Sequence, residues 1–65
     1  MRYYIEEARK KAGITQDELA VKSGVSRSII SGLESGRVEQ TTIGTLRKLA
    51  AALNVELVYF FTGVA

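Results

Sequence analysis

The sequence predicts an all-α fold of five short helices, and three local patterns predict it. Thr15-Gln16-Asp17-Glu18 is a capping box, with a hydroxyl for the first free amides and a carboxylate reaching back. Ser26 is a second N-cap, and Ser23-Gly24 before it places a glycine where a helix stops in the left-handed conformation. Farther on, Ile43, Leu46, Leu49, Ala50 and Leu53 form one continuous apolar stripe at helical spacing.

The elements follow in order. The first helix runs from about Arg2 to Ala12, with Ile5, Ala8 and Ala12 on one face and Gly13 as its stop. The second and third cover about Gln16 to Lys22 and Arg27 to Glu34. Ala20 is small where these two helices cross, Gly24 sits at the corner, and Ile30 and Leu33 point inward. Small residue, glycine and apolar residue at those offsets are what a DNA-binding helix-turn-helix needs. After a loop from Ser35 to Thr41, Thr42 caps the fourth helix, and Asn54 is its left-handed terminator. The tail Val55-Glu56-Leu57-Val58-Tyr59-Phe60-Phe61 reads two ways, because its β-branched and aromatic residues also suit a strand.

Composition narrows the chemistry. Sixty-five residues lie near the lower size at which one core suffices without staples, and the 46% hydrophobic fraction indicates a folded globule. There is no Cys, hence no disulfide framework and no thiolate site, and a reducing cytoplasm is the expected setting. There is no His, the commonest general base and metal ligand, so neither metal nor cofactor is expected. No apolar run approaches the roughly 20 residues of a membrane span, and no signal-peptide pattern opens the chain. The carboxylate pairs Glu6-Glu7 and Asp17-Glu18 are adjacent, and a helix splays neighbours about 100° apart, so neither is a converging dyad. The serines have no base at a suggestive spacing. An enzyme is not expected. A net charge of +2 does not by itself require a nucleic-acid partner, and the placement of the charges matters more.

On a helical wheel, Arg27, Ser31, Ser28 and Gly32 fall within one half of the circle, in that angular order. Ile29, Leu33 and Ile30 follow in the other half and make an apolar face. The first half carries a guanidinium fork, two hydroxyls and, at Gly32, bare backbone. Arginine reads guanine with two hydrogen bonds, and serine approaches either base type.

At these residues the chain closely resembles the Cro and phage-repressor (Xre-like) helix-turn-helix family. Ala12-Gly13-Ile14-Thr15-Gln16 enters the motif, and Glu18-Leu19-Ala20 with Gly24-Val25-Ser26 forms its first half. Ile30-Ser31-Gly32-Leu33-Glu34-Ser35-Gly36-Arg37 closes it, and Thr45-Leu46 through Ala52-Leu53-Asn54-Val55 resembles the helix that follows. The resemblance implies a five-helix lambda-repressor-like DNA-binding domain over residues 1–65, with the motif at about 16–35. It places a short fifth helix in the tail, ending at Gly63, and on that ground the tail is expected to be helical. It assigns base reading to Arg27, Ser28 and Gly32, and the wheel adds Ser31. It gives phosphate contacts to Gln16, Ser35, Arg37 and Thr42, and pairs Arg9 with Glu34 as a structural tie. Gly32 departs from the family, which often has a longer polar side chain there. The loop departs too: it carries Glu39, lacks a proline and runs one residue long.

The function so implied is a sequence-specific regulator, a repressor, that binds a palindromic operator in double-stranded DNA as a homodimer in a bacterial or phage-infected cell, at the nucleoid. Leu57, Val58, Tyr59, Phe60 and Phe61 supply more apolar surface than one short helix buries, and Leu57, Val58, Tyr59 and Phe61 are expected at the dimer interface. The alternative is the antitoxin of a toxin–antitoxin pair, whose tail would meet a toxin protein while the motif represses its own operon. A third is a helix-turn-helix kept only for protein contacts.

Overall fold

Each turn between helices begins with a residue in the left-handed region, which sets where the chain changes direction. The computed structural model describes residues 3–64, and among them are five helices: α1 (Ile5–Ala12), α2 (Gln16–Ser23), α3 (Arg27–Ser35), α4 (Ile43–Leu53) and α5 (Tyr59–Thr62). Gly13, Gly24, Gly36, Asn54 and Gly63 follow them in turn, all at positive φ. Asn54 at φ 57° is the one non-glycine among these, a conformation asparagine tolerates better than most side chains.

The helix starts are made by side chains. Thr15 Oγ1 accepts from the Glu18 N–H at 3.1 Å while Glu18 Oε1 accepts from the Thr15 N–H at 2.8 Å, closing the capping box of α2. Ser26 caps α3 by accepting from Ile29, and Thr42 caps α4 by accepting from Thr45. α1 begins at Ile5, later than the apolar spacing suggested. Arg2, where the sequence reading starts it, lies outside the described residues.

The core gathers one face from every helix: Ile5 and Ala8, Leu19, Ile30 and Leu33, Leu46, Leu49, Ala50 and Leu53, Tyr59 and Phe60, with Val25 from the turn. α2 packs on α3 and α4, and α1 closes over α3 and α4. The tail is one helical turn, not a strand. Its Phe60 is wholly buried, and the Phe60 carbonyl accepts from the Tyr4 N–H at 3.0 Å, joining the two ends of the chain. Ile43 departs from the stripe reading: it stands about half exposed at the start of α4.

Candidate nucleic-acid interface

α3 is held by its buried side. Ile30 and Leu33 are fully buried and Val25 is seated just before the helix, which turns Arg27 and Ser28 to solvent, with Ser31 half-buried. The wheel placed Ile29 with the apolar face, and the structure corrects this: Ile29 is 41% exposed. On the wheel it sits at the edge of the apolar arc, next to Gly32, and that edge position was the available signal. The exposed first turn of α3 therefore offers a cation, a hydroxyl and a branched apolar side chain together.

Gly32 requires the larger correction. It is not bare backbone on an open face but a buried residue. The Val38 N–H donates to the Gly32 carbonyl at 2.9 Å, and the Val38 side chain lies over the glycine. A Cβ on residue 32 would meet Val38 Cγ2 at 2.5 Å and Arg37 Nη2 at 3.4 Å. The loop after α3 folds back onto the helix there, and glycine is the residue that lets it.

Arg27 is not a free cation. Its Nε lies 2.9 Å from Asp17 Oδ1 of α2, with both side chains well exposed. The pairing of Asp17 with Arg27 was not legible in the sequence, because which α2 residue meets Arg27 depends on how the two helices cross.

Behind this face lies a buried junction of three helices. Arg9 of α1 forks onto Glu34 of α3, donating from Nε to Oε2 at 2.8 Å and from Nη2 to Oε1 at 2.9 Å, and its Nη1 donates to the Ile14 carbonyl at 3.0 Å. Gln16 of α2 donates from Nε2 to Glu34 Oε1 at 3.0 Å. The Glu34 side chain is 3% exposed. Burial alone pushes its carboxyl up, but the hydrogen bonds from Arg9 and Gln16, with the charges of Arg9 and Lys10, outweigh that and hold it below the usual carboxylate range. The bond to Glu34 likewise holds the Arg9 guanidinium more firmly protonated, against burial.

The other candidate phosphate ligands lie at helix ends. Gln16, half-buried, opens α2 and is fixed at its amide by Glu34. Ser35 closes α3, its hydroxyl donating to the Gly32 carbonyl and accepting from the Arg37 N–H, each at 3.2 Å. The backbone of exposed Arg37 is thereby positioned. Thr42 is exposed at the N-terminus of α4.

The expected interface residues of the tail divide. Tyr59 is a core residue, 3% exposed, with Lys11 Nζ 5.5 Å from its ring centre, so it is not available as free surface. Leu57 is half-buried against the core. Val58 and Phe61 are the exposed pair, at 56% and 40%, and Tyr3 packs edge-on against Phe61 with ring centres 5.6 Å apart. Summed apolar content indicated the surplus, but not that the tail turns Tyr59 and Phe60 inward and Val58 and Phe61 outward.

A family model described as helix-turn-helix matches residues 5–60. The chain belongs to the Xre-like helix-turn-helix family. This helix-turn-helix chain is 45% identical over 56 residues to an uncharacterized HTH-type transcriptional regulator of Methanothermobacter thermautotrophicus, covering 86% of this chain and 80% of that one. It is 44% identical over 54 residues to the uncharacterized HTH-type transcriptional regulator y4dJ of Sinorhizobium fredii, covering 83% and 69%. It is 42% identical over 53 residues to the HTH-type transcriptional regulator SlrR of Bacillus subtilis, covering 82% of this chain and 35% of that protein. It thus spans most of the first two relatives and about a third of the Bacillus protein.

Proposed function

We propose that the protein is a sequence-specific DNA-binding regulator of transcription, acting as a repressor, that binds a palindromic operator as a homodimer. The observation that carries this reading is the exposed first turn of α3. Arg27, Ser28 and Ile29 face outward from a helix whose opposite side is locked by Ile30 and Leu33, at the second position of a complete helix-turn-helix. Inserted in the major groove, that turn offers a guanidinium fork for guanine, a hydroxyl for either base type and a branched apolar group for a thymine methyl. Ser31 adds a second hydroxyl. Gln16 and Thr42 hold the sugar-phosphate backbone at the N-termini of α2 and α4, where free amides and the positive helix terminus favour anions. Ser35 and Arg37 hold it from the C-terminal end of α3 and the loop beyond, through a hydroxyl and a cation. The relatives named as transcriptional regulators support the same reading.

The dimer forms through the exposed Val58 and Phe61, with the half-buried Leu57 beside them in the chain. It sets two recognition helices about 34–36 Å apart, the distance between half-sites one DNA turn apart. The interface is small, and pairing is completed on DNA. Selection of bound duplexes from a random-sequence pool tests the whole reading. An enriched palindrome supports it, an enriched non-palindromic site removes the dimer, and a pool that stays random refutes sequence-specific binding.

A further inference from the structure

We propose that Asp17 is a specificity-determining positioning residue: it holds the Arg27 guanidinium for guanine and weakens binding to all other DNA. The inference rests on the reading that α3 enters the major groove. Arg27 projects from the first turn of α3, where an exposed arginine without a brace samples many rotamers, whereas the forked contact to a guanine edge needs one of them. Asp17 meets it from α2, an element fixed at that end by the capping box between Thr15 and Glu18. The contact runs through Nε, at 2.9 Å. It therefore takes the nitrogen nearest the chain and leaves the two terminal nitrogens, the pair that guanine O6 and N7 accept from.

Stability does not account for this pair. Both partners are well exposed, and exposed ion pairs contribute little to folding. In a DNA-binding face a carboxylate also has an electrostatic cost, since it opposes the phosphate attraction behind all sequence-independent binding. Both effects act in one direction when specificity is taken as a difference of affinities. On random DNA, Asp17 cancels one of the cations available to phosphate. On the operator, it delivers Arg27 already oriented, so the loss is offset there and only there.

The test uses the full chain with Asp17→Asn, Arg27→Ala and the double variant. Each is titrated against the duplex enriched from a random pool and against a scrambled duplex of equal length and composition. Glu7→Gln, an exposed carboxylate of α1, serves as the control for net charge. Asp17→Asn is expected to bind the scrambled duplex about two- to fivefold more tightly, the scale of an exposed charge pair, without tightening on the operator. Discrimination falls by the same factor, and the preference for guanine relaxes at a single base-pair position. In the Arg27→Ala background, Asp17→Asn leaves discrimination unchanged. If Asp17→Asn tightens both duplexes equally, as the charge control does, while Arg27→Ala still lowers discrimination, the brace is overturned and the groove placement stands. If Arg27→Ala weakens both duplexes alike, the groove placement fails and the proposal falls with it.

Discussion

Val38 occupies the space that a side chain at Gly32 would fill. The glycine is enclosed by the loop that follows its own helix, with the Val38 N–H bonded to its carbonyl and a valine methyl 2.5 Å from where a Cβ would stand. In an open helix position Gly32→Ala would stabilise by about 1 kcal/mol through helix propensity. Here overpacking reverses the sign, and a net loss of about 1–3 kcal/mol is expected. Val38→Ala in the same chain should recover most of it, a coupling that urea unfolding of the two single variants and the double variant measures. A higher melting temperature for Gly32→Ala alone would disprove the enclosure.

Arg9 and Glu34 form the second testable relationship. Removing either leaves a buried charge without its partner, so Arg9→Ala and Glu34→Ala should each cost about 3–5 kcal/mol. In a domain this small, that is a large share of the whole stability. Thermal melts within a degree or two of wild type would rule the pair out as a structural tie.

The same carboxylate sets a pH dependence. Its folded value lies below that of the unfolded chain, about 4.3 for an ordinary glutamate. Its contribution is therefore complete above that unfolded value and is lost as the pH falls through the lower, folded one. Wild type should lose melting temperature on acidification below about pH 4, and Glu34→Gln should show a shallower decline over that range. Parallel acid limbs for the two proteins would contradict this.

Reading and clamping separate at Arg27 and Arg37. Arg27→Ala should lose about 1–3 kcal/mol on the operator and relax one base-pair preference, with much less change on unrelated DNA. Arg37→Ala should weaken operator and random DNA similarly and lower the salt-dependence slope by about one. Both variants on both DNAs across a salt series decide the matter, and interchange of the two patterns would reverse the assignments.

For the tail, Val58→Glu places a charge on the more exposed residue of the Val58 and Phe61 pair while leaving the buried Tyr59 and Phe60 untouched. Binding to an isolated half-site should be unchanged and cooperative occupation of the palindrome lost, as footprinting reads directly. Equal protection of half-site and palindrome by wild type would contradict dimerisation through this surface.

The helices were legible in the sequence because their ends are local. Thr15 with Glu18, Ser26, Thr42 and the left-handed residues Gly13, Gly24, Asn54 and Gly63 each act within a few positions of themselves. What escaped the sequence depends on where one element lies against another. A wheel orders the faces of α3 but does not know that the loop returns over Gly32, nor that Ile29 and Ile43 lie beyond the reach of the core. The pairing of Asp17 with Arg27 was hidden for the same reason. Tyr59 was misplaced because the apolar total of the tail says nothing about which of its residues turn inward.

Glu34 receives hydrogen bonds from α1 and α2 while belonging to α3, the helix proposed to read DNA. Heredity acts on such a junction without distinguishing folding from binding. A genetic screen for lost operator occupancy would collect Arg9 variants beside Arg27 variants, although Arg9 is tied to Glu34 and Ile14 within the protein. Only the folded fraction of each variant would tell the two groups apart, and natural substitutions at Arg9 should accompany compensating changes at Glu34 and Gln16 and leave the operator sequence as it was.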